Sequence, residues 1–231
     1  MSAAPWAFRL GAGALVAFIL GPLVAHLGIV SAMVGFIVFD LGGLFGLLAL
    51  VFGIVGTLRG GGAGAGLALG LLVTLAFLVI AVPSGKVPPI NDITTDTTNP
   101  PQFVTAPSLP GNQGRDMRYP GESFAKQQTA GYPDLAALHL DVSPDQAFQR
   151  VTAAAQQMPD WEVTRTNAAT HALEGVATTH LFRFKDDFVI EVRPQASGSV
   201  VQMRSKSRDG KGDVGANAAR IKAFYAKVKS G

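Results

Sequence analysis

Between Leu10 and Val82 the only acidic or basic side chains are His26, Asp40 and Arg59. So long an apolar run leaves too little polar surface for a water-soluble layer. It holds enough for several membrane crossings, since a helix needs about 20 mostly apolar residues to span the hydrocarbon core. Three segments qualify, at about 10–29, 32–58 and 63–82. The break at "HLGIVSA" is soft, whereas "LRGGG" is sharp because Arg59 and a glycine run interrupt the pattern. Only 15% of the chain is charged, against about 25% in soluble domains. The deficit lies within this run, and from Ser84 onward charges are common. The chain therefore reads as a membrane region over 1–83 followed by a soluble part.

A cleaved signal peptide is the rival reading of the first segment, with Val30–Ala32 as a small-residue cleavage site. The weak charged start and the lack of a polar region before that site argue against it. Arg9 and Arg59 flank the segments, and the loop between the first two has no Lys or Arg. Basic residues stay cytoplasmic, so three crossings would put the soluble part outside. Gly62, Gly66 and Gly70, and Gly42 and Gly46, recur every four residues. That spacing lets helices approach closely within the bundle or dock on another membrane protein. Asp40 and Thr74 are the candidate intramembrane polar residues. Reckoned from the outer helix ends, both lie at equal depth, which predicts a hydrogen bond between them.

Proline, glycine and threonine dominate residues 84–132, so this stretch reads as an extended strap. Residues 133–231 read as one domain. "LHLDV" is a short strand. In "SPDQAFQRVTAAAQQM", Ser143 caps, Pro144 takes the first turn and Gln146 completes a capping box. Four strands follow, at Trp161–Thr166, His171–Thr179, Asp186–Pro194 and Ser199–Ser207, then a helix over about 214–229. The fold class is α+β: three N-terminal transmembrane helices, then a strand-helix-four strands-helix domain with two helices on one face of an antiparallel sheet.

Catalytic and cofactor signals are weak. The chain has no cysteine, which excludes disulfides and thiolate chemistry. "GKGDVG" matches G-x-G-x-x-G, but no parallel strand with an acid follows the helix, so it does not read as a dinucleotide site. Asp213 reads as the helix cap. No histidine pair has metal-ligand spacing, and Asp186 and Asp187 point to opposite faces of one strand. Asp92 and Asp96 of the strap are about 13 Å apart in an extended chain and need a turn to share an ion. No catalytic, cofactor-binding or metal residues are assigned. From Val200 onward the charge is net +6, and from Ser84 to Ser199 it is net −4. Arg204, Lys206 and Arg208 alternate onto one strand face, which predicts a solvent-facing basic strip for lipid headgroups or an acidic partner.

The segments "PPINDITTDTTNPPQF", "YPDLAAL", "SPDQAF", "FRFKDDFVIEVRP" and "RSKSRDGKGDVGANAARIKAF" together resemble the domain-of-unknown-function family numbered 1499, from about Val87 to Tyr225. The resemblance implies a shared fold and a bacterial envelope setting, and it implies no activity. It makes the strap part of the domain, with Ile90, Ile93 and Phe103 as its anchors. The resulting expectation is a non-enzymatic, multi-pass protein of the bacterial inner membrane with a periplasmic α+β domain. Such a protein would bind an envelope component or serve a membrane complex. Its partners would be membrane lipids or another membrane protein, not nucleic acid. The alternatives are a binder of lipid or a small apolar ligand, and an enzyme whose site is unrecognised.

Overall fold

The computed structural model describes residues 3–81 and 87–231. The expected helix end at Val82 and the strap's start at Ser84 lie outside the described residues. The chain divides into two compact units, Met1–Lys86 with His180–Arg183, and Val87–Thr179 with Phe184–Gly231.

Three helices build the first unit: α1 (Ala3–His26), α2 (Ala32–Leu58) and α3 (Gly64–Ala81). Two of them, α1 and α2, are long and apolar enough to cross a membrane. The third is apolar but shorter, its described residues being Gly64–Ala81. Small residues fill the inside of the bundle. A Cβ on Gly66 would lie 2.5 Å from the Ala7 backbone, and one on Gly46 would lie 2.7 Å from Val73. A Cβ on Gly70 would collide with Leu50, and one on Gly43 with the Phe77 ring. The glycine rows at Gly42 and Gly46 and at Gly66 and Gly70 are thus consumed within the bundle. Gly62 instead faces open space. Large side chains such as Phe8, Ile19, Leu23, Leu44, Leu48, Leu72 and Val79 point outward.

The second unit is an antiparallel sheet in the order β1-β6-β5-β4-β3, with β2 also paired to β6. The strands are β1 (Asp92–Thr94), β2 (Leu138–Leu140), β3 (Trp161–Asn167), β4 (Ala172–Thr178), β5 (Lys185–Pro194) and β6 (Ser199–Ser207). One face packs against α5 (Pro144–Gln156) and α6 (Ala216–Ser230). Ser143 caps α5, its hydroxyl accepting from Gln146 N at 3.3 Å. Val151 and Ala155 of α5 and Ile221 and Phe224 of α6 are buried with Leu173, Phe188, Ile190, Val201 and Met203 of the sheet. Trp161 stacks on Phe188 and Phe224, with centroids 4.1 and 5.3 Å away.

The strap differs from the extended segment expected over 84–132. It contributes β1, which pairs with β6, two short 3-10 turns, and a helix, α4 (Glu122–Gly131). Lys126 and Glu122 pair one turn apart on α4, at 2.7 Å. Residues of this helix favour helical backbone without an apolar stripe to announce it.

Candidate functional site

Alternation along the strands sends Glu174 of β4, Asp187, Glu191 and Arg193 of β5, and Gln202, Arg204 and Lys206 of β6 to the face opposite α5 and α6. This face was expected to meet solvent. Instead the strap lies across it, and Arg204, Lys206, Glu174 and Asp187 are buried. The basic strip is therefore an internal structure. Burying a cation costs several kcal/mol unless partners surround it, and the strap provides them.

Asp92, on β1, is the hub. Arg204 grips it through two hydrogen bonds of 2.8 Å, from Nε and Nη2. Lys206 Nζ donates to the same carboxylate at 2.9 Å. Arg204 also donates to the carbonyls of Met117 and Pro101, at 2.9 and 3.3 Å. Its guanidinium sits 4.8 Å from the Phe103 ring and 5.5 Å from Tyr119, a placement that favours the cation. Burial and the Asp92 charge push the Tyr119 phenol up to about 12. Arg208 is spent on Asp187, its Nη2 donating at 2.6 Å, and Asn112 donates to the same carboxylate at 2.8 Å.

Glu174 pins the strap by its backbone. The amides of Val104, Thr105 and Ala106 all donate to its carboxylate, at 2.9–3.1 Å, with Arg165 Nη1 at 3.1 Å. Gln128 of α4 clamps β1 from its open side. It accepts from Thr94 N at 2.9 Å and donates to Thr94 O at 2.6 Å. Asp96 pairs with Arg193 at 2.9 Å. Asp92 and Asp96 thus answer to separate cations and do not converge on one ion. Among the described residues no group of three His, Asp or Glu could hold a metal.

On the helix-covered face, Arg220 pairs with Asp186. Asn217 and Arg220 both bond Ser205 Oγ. Asp213 accepts from the amides of Gly215 and Asn217, both at 2.9 Å, just ahead of α6. Burial raises its carboxyl above the ordinary aspartate range, against those hydrogen bonds.

In the helical unit, Thr74 Oγ1 is buried and has no hydrogen-bond partner, so the expected Asp40–Thr74 bond does not form. The reason is register. Phe77 packs at Gly43 and Thr74 near Gly46. Asp40 therefore lies about 9 Å further along α2 than Thr74's level.

Sequence reasoning missed Glu174, Asp187, Asn112 and Gln128. Glu174 and Asp187 carried a signal, since each places a carboxylate on the same strand face as Arg204 once β4, β5 and β6 are aligned. Asn112 and Gln128 carried none. As a whole the arrangement can hold the strap, and its carboxylates are already saturated by donors. The match to known families lies over this same region. The family model described as "Protein of unknown function (DUF1499)" matches residues 92–228, from the hub aspartate to the last buried residue of α6. No curated protein matches the chain.

Proposed function

From the premise that the chain belongs to the DUF1499 family, we propose that it is a membrane-anchored, non-enzymatic binding module. Its strap-sealed α+β domain would bind an envelope component or serve as an accessory subunit of a membrane complex. The observation that carries this reading is the saturation of the buried carboxylates. A general acid or base must exchange a proton with substrate. Asp92, Asp187 and Glu174 instead spend their lone pairs on arginine, lysine, asparagine and backbone donors.

The anchor is a bundle in which all three helices cross the membrane. Leu71, Leu72, Leu75, Leu78 and Val79 of α3 face outward as the large residues of α1 and α2 do, while Gly66 and Gly70 seat it against them. An 18-residue helix spans about 27 Å, close to the roughly 30 Å of a hydrocarbon core. With Arg9 and Arg59 cytoplasmic, the domain lies outside the cell membrane, in a bacterial envelope. Crosslinking in membranes, then purification in mild detergent with mass spectrometry, is expected to return a stoichiometric partner or lipid. Recovery of the chain alone overturns the reading if it comes with a small-molecule turnover that Asp92→Asn abolishes at unchanged melting temperature.

A further inference from the structure

The loop between β6 and α6, Gly210–Gly215, is riveted to the first residues of the domain. Asn91 Nδ2 donates to Gly210 O at 2.7 Å, and Asp213 N donates to Ile90 O at 3.2 Å. Gly212 lies so close to Pro89 that a Cβ would sit 3.3 Å from its Cα. Residues 82–86 alone separate Val87 from α3. Six residue steps reach at most about 20 Å, so the tether from α3 to the residues that hold this loop is short.

The loop presents a side chain for which the fold has no use. Val214 is 54% exposed and has φ +56. A β-branched residue in the left-handed region is an outlier, where glycine or asparagine would be unstrained. Within residues 87–231 the exposed large apolar residues are Val104, Leu181 and Val214. Lys211, beside Val214, is exposed, and no ion pair holds it among the described residues.

We propose that Gly210–Gly215 is a membrane-contact loop. Val214 enters the interfacial layer of the bilayer and Lys211 meets a headgroup phosphate. The proposal rests on the reading of α1–α3 as a membrane anchor. A single valine is a weak anchor for a free protein. On a tethered domain the effective concentration of the surface is in the millimolar range, and the contact then orients the domain.

The natural absence of cysteine permits single-site labelling of the full chain in vesicles of phosphatidylcholine and phosphatidylglycerol that carry a quencher on the upper acyl chain. A fluorophore on Lys211→Cys is expected to be quenched, and one on Thr170→Cys, in the turn at the opposite end of the sheet, is not. Adding Val214→Asn should lower the quenched population at position 211 about fivefold, the factor for withdrawing half a valine from water. A label on Leu44→Cys, inside α2, tests the anchor itself. Quenching at 44 with equal, low quenching at 211 and 170 overturns the loop proposal alone. No quenching at 44 overturns the membrane reading and the proposal with it. Strong quenching at 211 that Val214→Asn leaves unchanged removes Val214 as the inserting group and overturns the proposal as stated.

Discussion

Asp92 holds two cations at once, so the partners of this buried cluster are not equivalent. Asp92→Asn strands Arg204 and Lys206 together and should cost about 3–5 kcal/mol, the range for breaking a buried pair. Arg204→Met leaves the Asp92–Lys206 bond of 2.9 Å intact and strips a donor from Asp92 Oδ1 and from the carbonyls of Met117 and Pro101, but it leaves no cation unpaired, so a smaller loss of about 1–3 kcal/mol is expected. Denaturant unfolding of the full chain in detergent measures both. The Trp161 signal would be followed in a Trp6→Phe background, because Trp161 stacks in the core. Equal losses would mean that Lys206 does not share the charge. Asp213 behaves oppositely to an ion-paired acid. Its folded value lies above the ordinary 3.8, chiefly through burial. The folded state therefore binds the proton more tightly than the unfolded state. The stability that protonation contributes is full at low pH and falls as pH rises from about 3.8 through the raised folded value. Asp213→Asn should flatten that decline and change neutral-pH stability by only about 1 kcal/mol, since it trades one amide bond for a lost charge. An unchanged slope would show that another group sets it.

The strap is held by side chains that imitate a strand. Gln128 bonds both backbone groups of Thr94, as a neighbouring strand would, and so closes the open edge of β1. Gln128→Ala should raise the exchange rate of the Thr94 amide by about tenfold or more, since one lost buried bond is worth at least about 1–3 kcal/mol, and leave the central amides of β5 unchanged. Protection at Thr94 equal to the parent would mean that the β1–β6 pairing alone holds the strap. This part of the fold was the least legible in sequence. The helix that Ser143 caps, the β3–β6 meander and α6 announce themselves through local pattern, because each buries an apolar face at its own period. β1 has only three residues between prolines, and its order comes from Lys206 and Gln128, far along the chain. The same nonlocality misled the reading of β6. Alternation correctly separates Arg204, Lys206 and Arg208 from Val201 and Met203. Whether that polar face meets water or a second layer depends on where the strap runs, and no local period encodes that path. The Asp40–Thr74 expectation failed likewise, because depth along two helices does not supply their register.

The two units are packed by opposite rules. In the second unit the large apolar side chains are inside and charges are exposed, paired or, like Asp213, held by backbone amides. In the helical unit, glycine and alanine are inside and leucine, valine and isoleucine are outside. In water the second pattern would expose the residues most strongly driven from it, whereas in lipid it lets backbones approach closely and leaves large side chains to the acyl chains. The number of crossings then decides where the sealed domain works, and α3 is the element at issue. Single cysteines at Ile29, Gly64 and Thr170 separate the possibilities. Gly64 begins α3 and has open space for a side chain, and Ile29 lies in the exposed loop before α2. If α3 crosses and Arg9 and Arg59 are cytoplasmic, a membrane-impermeant maleimide added to spheroplasts labels Ile29→Cys and Thr170→Cys. Gly64→Cys then reacts only after lysis. If α3 lies along the surface, Gly64→Cys and Thr170→Cys share a side, opposite to Ile29→Cys, and the domain faces the cytoplasm. Reaction of both Gly64→Cys and Thr170→Cys only after lysis, with Ile29→Cys labelled in intact spheroplasts, would therefore reverse the proposed topology and move the domain's partner from the envelope to the cell interior.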